Sequence, residues 1–181
     1  MVWPHDHHRA RAHPNSPSVA FMSNCAPARE LYADLFGELG NSLSAEDWIA
    51  RANISLPPNL SALKARFVTG SRTEQALQIS YEPGPESFSF FALSGGCTAE
   101  MLDQAATHCA TLVTGYGCPT LTMTTNYFHR GTGSTFVANA RILSMTSVSA
   151  LVLAELFDQR GRRIAAASVA VQFVKEIARY R

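Results

Sequence analysis

Charge is the first thing this sequence is short of. Charged residues make up 16% of the 181, where an ordinary soluble domain carries about 25%. The shortage is uneven, because over residues 83–154 only Glu86, Glu100, Asp103, Arg130 and Arg141 are charged and lysine is absent. Such a stretch must be hidden, either in a core or against a partner chain. Basic excess is missing too. A net charge of +1 leaves little with which to neutralise phosphates, which argues against nucleic acid as the main partner. Long apolar runs are absent, so the sequence offers no membrane span and no signal-peptide core, and a cytoplasmic location is expected. Four cysteines without a CxxC pair are too few for a disulfide scaffold and read as reduced, packed thiols. A hydrophobic share of 46% excludes disorder for the bulk of the chain. The length fits one domain with an appendage, not two.

The appendage is the leader, residues 1–22. It holds His5, His7, His8 and His13 among Pro4, Pro14 and Pro17, a composition that predicts no packed structure. Imidazoles bind transition metals, but a set with no fixed scaffold makes a poor site. Arg9 and Arg11 with few acids leave an organellar targeting role open. A helical flank is expected over 23–60: Asn24, Pro27 and the spacing of Leu31, Leu35, Phe36 and Leu39 predict a helix over about 26–39 ending before Gly40. Ser44 with Asp47 predicts a capped second helix ending before Pro57.

From residue 61 the period changes. Segments 63–69 and 75–81 read as strands about the turn Gly70-Ser71-Arg72-Thr73. Gly95 and Gly96 then precede 97–113, which is apolar on most sides and reads as a buried helix. One polar stripe, Glu100, Asp103, Gln104, Thr107 and Thr111, runs along it at spacings of three and four. Strands follow at 120–128, 135–143, 150–157 and 163–174, the last two flanking the hairpin signal Asp158-Gln159-Arg160-Gly161. Along 120–128, Leu121, Met123, Thr125 and Tyr127 alternate against Thr120, Thr122, Thr124 and Asn126. The order predicts an α+β domain over 61–175, with an antiparallel sheet wrapped on a central helix, and a charged tail at 176–181.

Asp103 is the sharpest candidate for chemistry. An ionised carboxylate on a buried helix costs several kcal/mol unless donors surround it, so Asp103 needs partners or a cleft. A purely structural bridge at a subunit contact is an equal reading, and Glu100 is a rival whose place near the helix start suits a dipole-stabilising role. Gly95 and Gly96 supply the second element, since backbone N–H groups at a helix start hold a carbonyl oxygen as it becomes an oxyanion. Oxyanion donors plus a carboxylate base or nucleophile are the minimum for acyl transfer. A Ser-His pair from Ser94 with His108 or His129 lacks any nucleophile-elbow context.

The run Ser94-Gly95-Gly96-Cys97-Thr98-Ala99-Glu100-Met101-Leu102-Asp103-Gln104-Ala105, then Thr120-Leu121-Thr122-Met123-Thr124-Thr125-Asn126-Tyr127-Phe128, then Ala154-Glu155-Leu156-Phe157-Asp158 with Gly161 and Ile164-Ala165, resembles the hotdog-fold acyl-CoA thioesterases, in their phenylacetyl-CoA and 4-hydroxybenzoyl-CoA-type branch. The resemblance implies hydrolysis of an acyl-CoA or related acyl thioester, without metal or prosthetic group. It implies catalytic roles for Gly95 and Gly96 on the carbonyl, for Asp103 as base or nucleophile, and for Thr120 in orienting water. It also implies a dimer with sites at the interface, sometimes paired into a tetramer. Ser94, Phe88, Gln104, Thr107 and Arg130 are the expected substrate contacts, with Arg130 toward a coenzyme A phosphate. Where that family has His before the glycines, this chain has Ser94; six residues earlier, Phe88 stands where many members have Asn. Those departures keep a second expectation in view, a hotdog dimer that binds an acyl thioester or a protein partner without turning it over. Phe88, Phe90 and Phe91 fit either an acyl pocket or the core.

Overall fold

The computed structural model describes residues 33–174. The leader, the first part of the helix expected over 26–39, and the tail lie outside them.

Three short helices open the described chain: α1 (Gly37–Ser42), α2 (Ala45–Ile54) and α3 (Pro58–Ala62). The expected helix does not run on to Leu39. Gly37 takes φ +68°, a left-handed conformation that breaks α-helical continuity, so Gly40 lies inside α1 and not after a longer helix. The α2 start is as expected, with Ser44 Oγ accepting from the Asp47 N–H at 3.0 Å and donating to Asp47 Oδ2 at 2.8 Å. Trp48 of α2 is wholly buried. Its indole N–H donates to the Leu35 carbonyl at 3.1 Å, and its ring meets Phe67 edge to face at 5.6 Å. The flank is thus part of the main core.

The rest is one sheet on one helix. Strands β1 (Arg66–Ser71), β2 (Ala76–Tyr81), β5 (Thr120–Tyr127), β6 (Phe136–Met145), β7 (Ser149–Asp158) and β8 (Arg163–Gln172) form an antiparallel sheet in the order β1-β2-β6-β7-β8-β5. A minor ribbon, β3 (Phe88–Ser89) with β4 (Ala92–Leu93), leads into the central helix α4 (Gly95–Thr114). Alternation decides which face is buried. Phe136, Ala138, Ala140 and Ile142 of β6, Val152, Ala154 and Leu156 of β7, and Ala165, Ala167 and Val169 of β8 are buried beneath α4, which contributes Met101, Leu102, Ala105, Ala106, Cys109, Ala110 and Leu112. Alanines on both surfaces let helix and sheet approach closely. Burial of each large side chain here contributes about 1.5–3 kcal/mol.

The helix ends where Gly115, at φ +70°, turns the chain and donates its N–H to the Thr111 carbonyl at 2.7 Å. Among the described residues no helix is long and apolar enough to cross a membrane. This is the hotdog architecture, an antiparallel sheet wrapped on a long helix.

Candidate active site

The start of α4 is held from both sides. Leu93 N–H donates to the Gly131 carbonyl and Ser94 N–H to the Ser87 carbonyl, each at 2.9 Å. Ser94 is the N-cap, and its hydroxyl accepts from the Cys97 N–H at 3.2 Å. That leaves the amides of Gly95 and Gly96, which as the first two helical positions have no acceptor within the helix. Both glycines are exposed, and the space around Gly96 is open. A groove of about 370 Å³ runs beside them, lined among others by Gly95, Thr98, Tyr127, His129 and Arg130. The Tyr127 hydroxyl donates to the Gly95 carbonyl at 2.9 Å.

Two turns along the helix, Asp103 is half-buried and not enclosed. Its partner is Thr120, whose hydroxyl donates to Asp103 Oδ1 at 2.5 Å. A β-bulge makes this contact. Thr120 pairs with Val171 and Thr122 with Ala170, so Leu121 is an extra residue in the ladder. Val171 belongs to the buried face together with Val169, Ala167 and Ala165, the partners of Met123, Thr125 and Tyr127. Thr120 therefore faces α4 with Met123 and Tyr127, whereas strict alternation places it on the opposite face. Gln104 and Thr107 continue the half-exposed stripe, but the Thr107 hydroxyl donates to the Asp103 carbonyl at 2.9 Å. Thr111 departs from the expected stripe: it is buried, with its hydroxyl on the Thr107 carbonyl at 3.0 Å.

The three phenylalanines separate. Phe88 packs on Phe136, ring centroids 6.3 Å apart, and belongs to the core margin. Phe90 and Phe91, 99% and 89% exposed, stand out from the ribbon tip. Arg130 is exposed at the groove, and its backbone carbonyl accepts from Arg162 Nη2 at 3.1 Å. Arg162 is in turn bound to buried Asp158. Burial alone raises the Asp158 pKa, but the backbone amides of Arg162 and Arg160 and the Arg162 guanidinium outweigh it and hold the carboxyl below its usual range.

Thiol chemistry is disfavoured. Burial, helped by Glu100 and Glu86 and opposed by a hydrogen bond with Ser87, pushes the Cys97 pKa up, so the thiol stays protonated. Burial likewise pushes Cys109 up to about 12. The residue that sequence reasoning passed over is Tyr127, visible there only as one term of a strand alternation. Its link to Gly95 joins positions 32 residues apart, and no local pattern encodes that.

Residues 92–165 match the family model of the thioesterase superfamily. Similar solved structures include a putative thioesterase, a phenylacetic acid degradation-related protein, from Ralstonia eutropha: 20% identity, 68% of this chain and 98% of that one covered, TM-score 0.62. The PaaI protein of the E. coli phenylacetic acid degradation operon is 16% identical, with 74% and 96% covered and a TM-score of 0.65. A hypothetical thioesterase from Streptococcus pneumoniae, solved with coenzyme A, is 14% identical, with 64% and 90% covered and a TM-score of 0.57. No curated protein matches the chain. Residues 92–165 are thus similar to the thioesterase superfamily, and the architecture is the hotdog fold of these solved structures.

Proposed function

We propose that two copies of this chain together hydrolyse an acyl-CoA or related acyl thioester. Water adds to the thioester carbon, the C–S bond breaks, and the products are the free acid and a thiol that takes up the remaining proton. Backbone N–H groups of Gly95 and Gly96 hold the carbonyl oxygen as it gains negative charge. Asp103 activates the water, or attacks directly and is released by water in a second step. Thr120 orients the Asp103 carboxylate and the water.

The observation that carries this reading is the Thr120–Asp103 hydrogen bond. A hydroxyl from a bulged strand tethers one oxygen of the helix carboxylate and leaves the other free. The match of residues 92–165 to the thioesterase superfamily model supports the reaction class.

A second copy is needed for a geometric reason. At 1.5 Å rise per residue, the Gly96 amide and the Asp103 carboxylate are about 10 Å apart along one helix, too far to touch the same carbonyl. Strand β5 offers the means of association: it is a sheet edge with no charge or proline, and its Leu121 and Tyr127 are 56% and 54% exposed. An edge of that kind pairs with another chain, which would bring the carboxylate of one copy toward the glycines of the other. Pairing of such dimers into a tetramer follows the family pattern. In this reading Arg130, at the groove, meets a phosphate of coenzyme A, and Gln104 and Thr107 line the path beside Asp103.

Ser94 and Phe88 favour a second reading. The Ser94 hydroxyl accepts from the Cys97 N–H as a helix cap, and Phe88, packed at the core margin, has no polar group to offer the carbonyl. On that reading the dimer binds an acyl thioester or a protein partner without turnover. Thiol release over a panel of acyl-CoAs separates the two. Hydrolysis that survives Asp103→Asn undiminished overturns the role given to Asp103; binding of a nonhydrolysable acyl-CoA with no hydrolysis at any chain length establishes the binder.

A further inference from the structure

We infer that Tyr127 is a positioning residue that sets the direction and strength of the Gly96 amide as an oxyanion donor, acting through the Gly95–Gly96 peptide. The inference rests on the reading of the α4 start as the carbonyl-binding end of a thioesterase site.

The Gly95 carbonyl and the Gly96 N–H are the two ends of one planar peptide unit. A hydrogen bond that fixes the carbonyl therefore fixes the line along which the N–H points. Tyr127 provides that bond at 2.9 Å, and its ring lies 3.8 Å from where a Cβ on Gly95 would stand. Donation to the carbonyl also draws electron density along the peptide and makes its N–H the stronger donor.

Within α4 the Gly95 carbonyl also faces the Ala99 N–H of the helix ladder, and the tyrosine hydroxyl adds a second donor on that oxygen from outside the helix. The Ser94 hydroxyl caps the Cys97 amide, one residue beyond Gly96. Glycine has the greatest backbone freedom to lose, and open space surrounds Gly96. Two glycines leave the amides accessible, and a hydroxyl reaching across from β5 holds the first peptide without covering them. Tyr127 reaches α4 because it sits on the helix-facing side of the strand, opposite Ala165, the side to which the bulge at Leu121 also brings Thr120. Its ring would pack equally well as phenylalanine, so the hydroxyl is the informative atom.

The test compares wild type with Tyr127→Phe by steady-state kinetics on an acyl-CoA ester, by thermal unfolding, and by the Gly96 amide proton resonance of the ligand-free protein. The expected result is a kcat about tenfold lower with KM within about twofold. The resonance moves upfield, and Tm stays the same. An unchanged kcat with an unmoved resonance overturns the inference. So does a rise in KM alone, which would make the hydroxyl a ground-state contact, or a fall in kcat that tracks a fall in Tm. If the wild type hydrolyses none of the esters, the hydrolase reading fails, and the resonance alone decides whether Tyr127 holds the peptide.

Discussion

The Thr120 hydroxyl donates to Asp103 Oδ1 at 2.5 Å across the joint between β5 and α4. One lone pair of the carboxylate is thereby engaged, and the second oxygen is left to accept from water. A hydroxyl tether orients a base without neutralising it, unlike a lysine or arginine partner.

Replacing each member of that pair separates their roles. Asp103→Asn keeps the shape and the hydrogen bond but removes the base, and kcat is expected to fall at least about a hundredfold. Thr120→Ala removes only the tether and is expected to cost about tenfold, with Thr120→Ser restoring most of the rate. Steady-state thiol release on the same ester measures all three. A Thr120→Ala loss as large as that of Asp103→Asn would mean that Thr120 touches the reacting atoms itself.

The limits of what the sequence discloses are physical. Strands β6, β7 and β8 are legible because each buries one face on α4, which imposes alternation along most of their length, broken only after Ile142 in β6 and at Ile164–Ala165 in β8. The central helix is legible because it is apolar almost all round. The face of Thr120 is not, since a bulge adds one residue that no alternation registers, and the added residue, Leu121, looks like a normal member of the apolar set. Asp103 emerges less buried than its helix suggests because β5 is the last strand of the sheet among the described residues. The division of Phe88 from Phe90 and Phe91 turns on one backbone conformation, φ +56° at Phe90, which reverses the chain between β3 and β4 and leaves the tip outside the core.

The open edge of β5 gives a test of assembly that is independent of chemistry. Thr124 is exposed at mid-strand. In Thr124→Lys two copies pairing through this edge would bring like charges together, as natural edge strands do to prevent pairing. Light scattering is expected to show a monomer with little change in circular dichroism, and hydrolysis is expected to fall with the dimer. A variant that remains dimeric places the contact on another surface.

Gly115 tests how α4 is terminated. Its φ of +70° lies where a Cβ is strained, and an added methyl would run into the Asn41 side chain. That amide can swing aside, while the neighbouring backbone is held by Arg72, which donates to the carbonyls of Gly40 at 2.7 Å and Asn41 at 2.9 Å. The backbone term therefore dominates, and Gly115→Ala is expected to cost about 1 kcal/mol in chemical denaturation with activity retained. Gly115→Asn, which tolerates the left-handed region better, is expected to cost less.

His108 makes stability depend on pH in a direction the structure defines. It is buried on α4 against Phe67, ring centroids 5.3 Å apart. Burial lowers its pKa from 6.5 to about 4, against smaller opposing contributions from the Gln104 carbonyl and Asp103. Between those values the unfolded chain binds a proton there and the folded chain does not, so stability is full above pH 6.5 and declines as pH falls toward 4. The slope is about 1.4 kcal/mol per pH unit and the total about 3 kcal/mol. Urea unfolding at pH 7.5, 6 and 5 is expected to show that decline in the wild type and a shallower one in His108→Gln. Parallel profiles would mean that other groups control the acid limb.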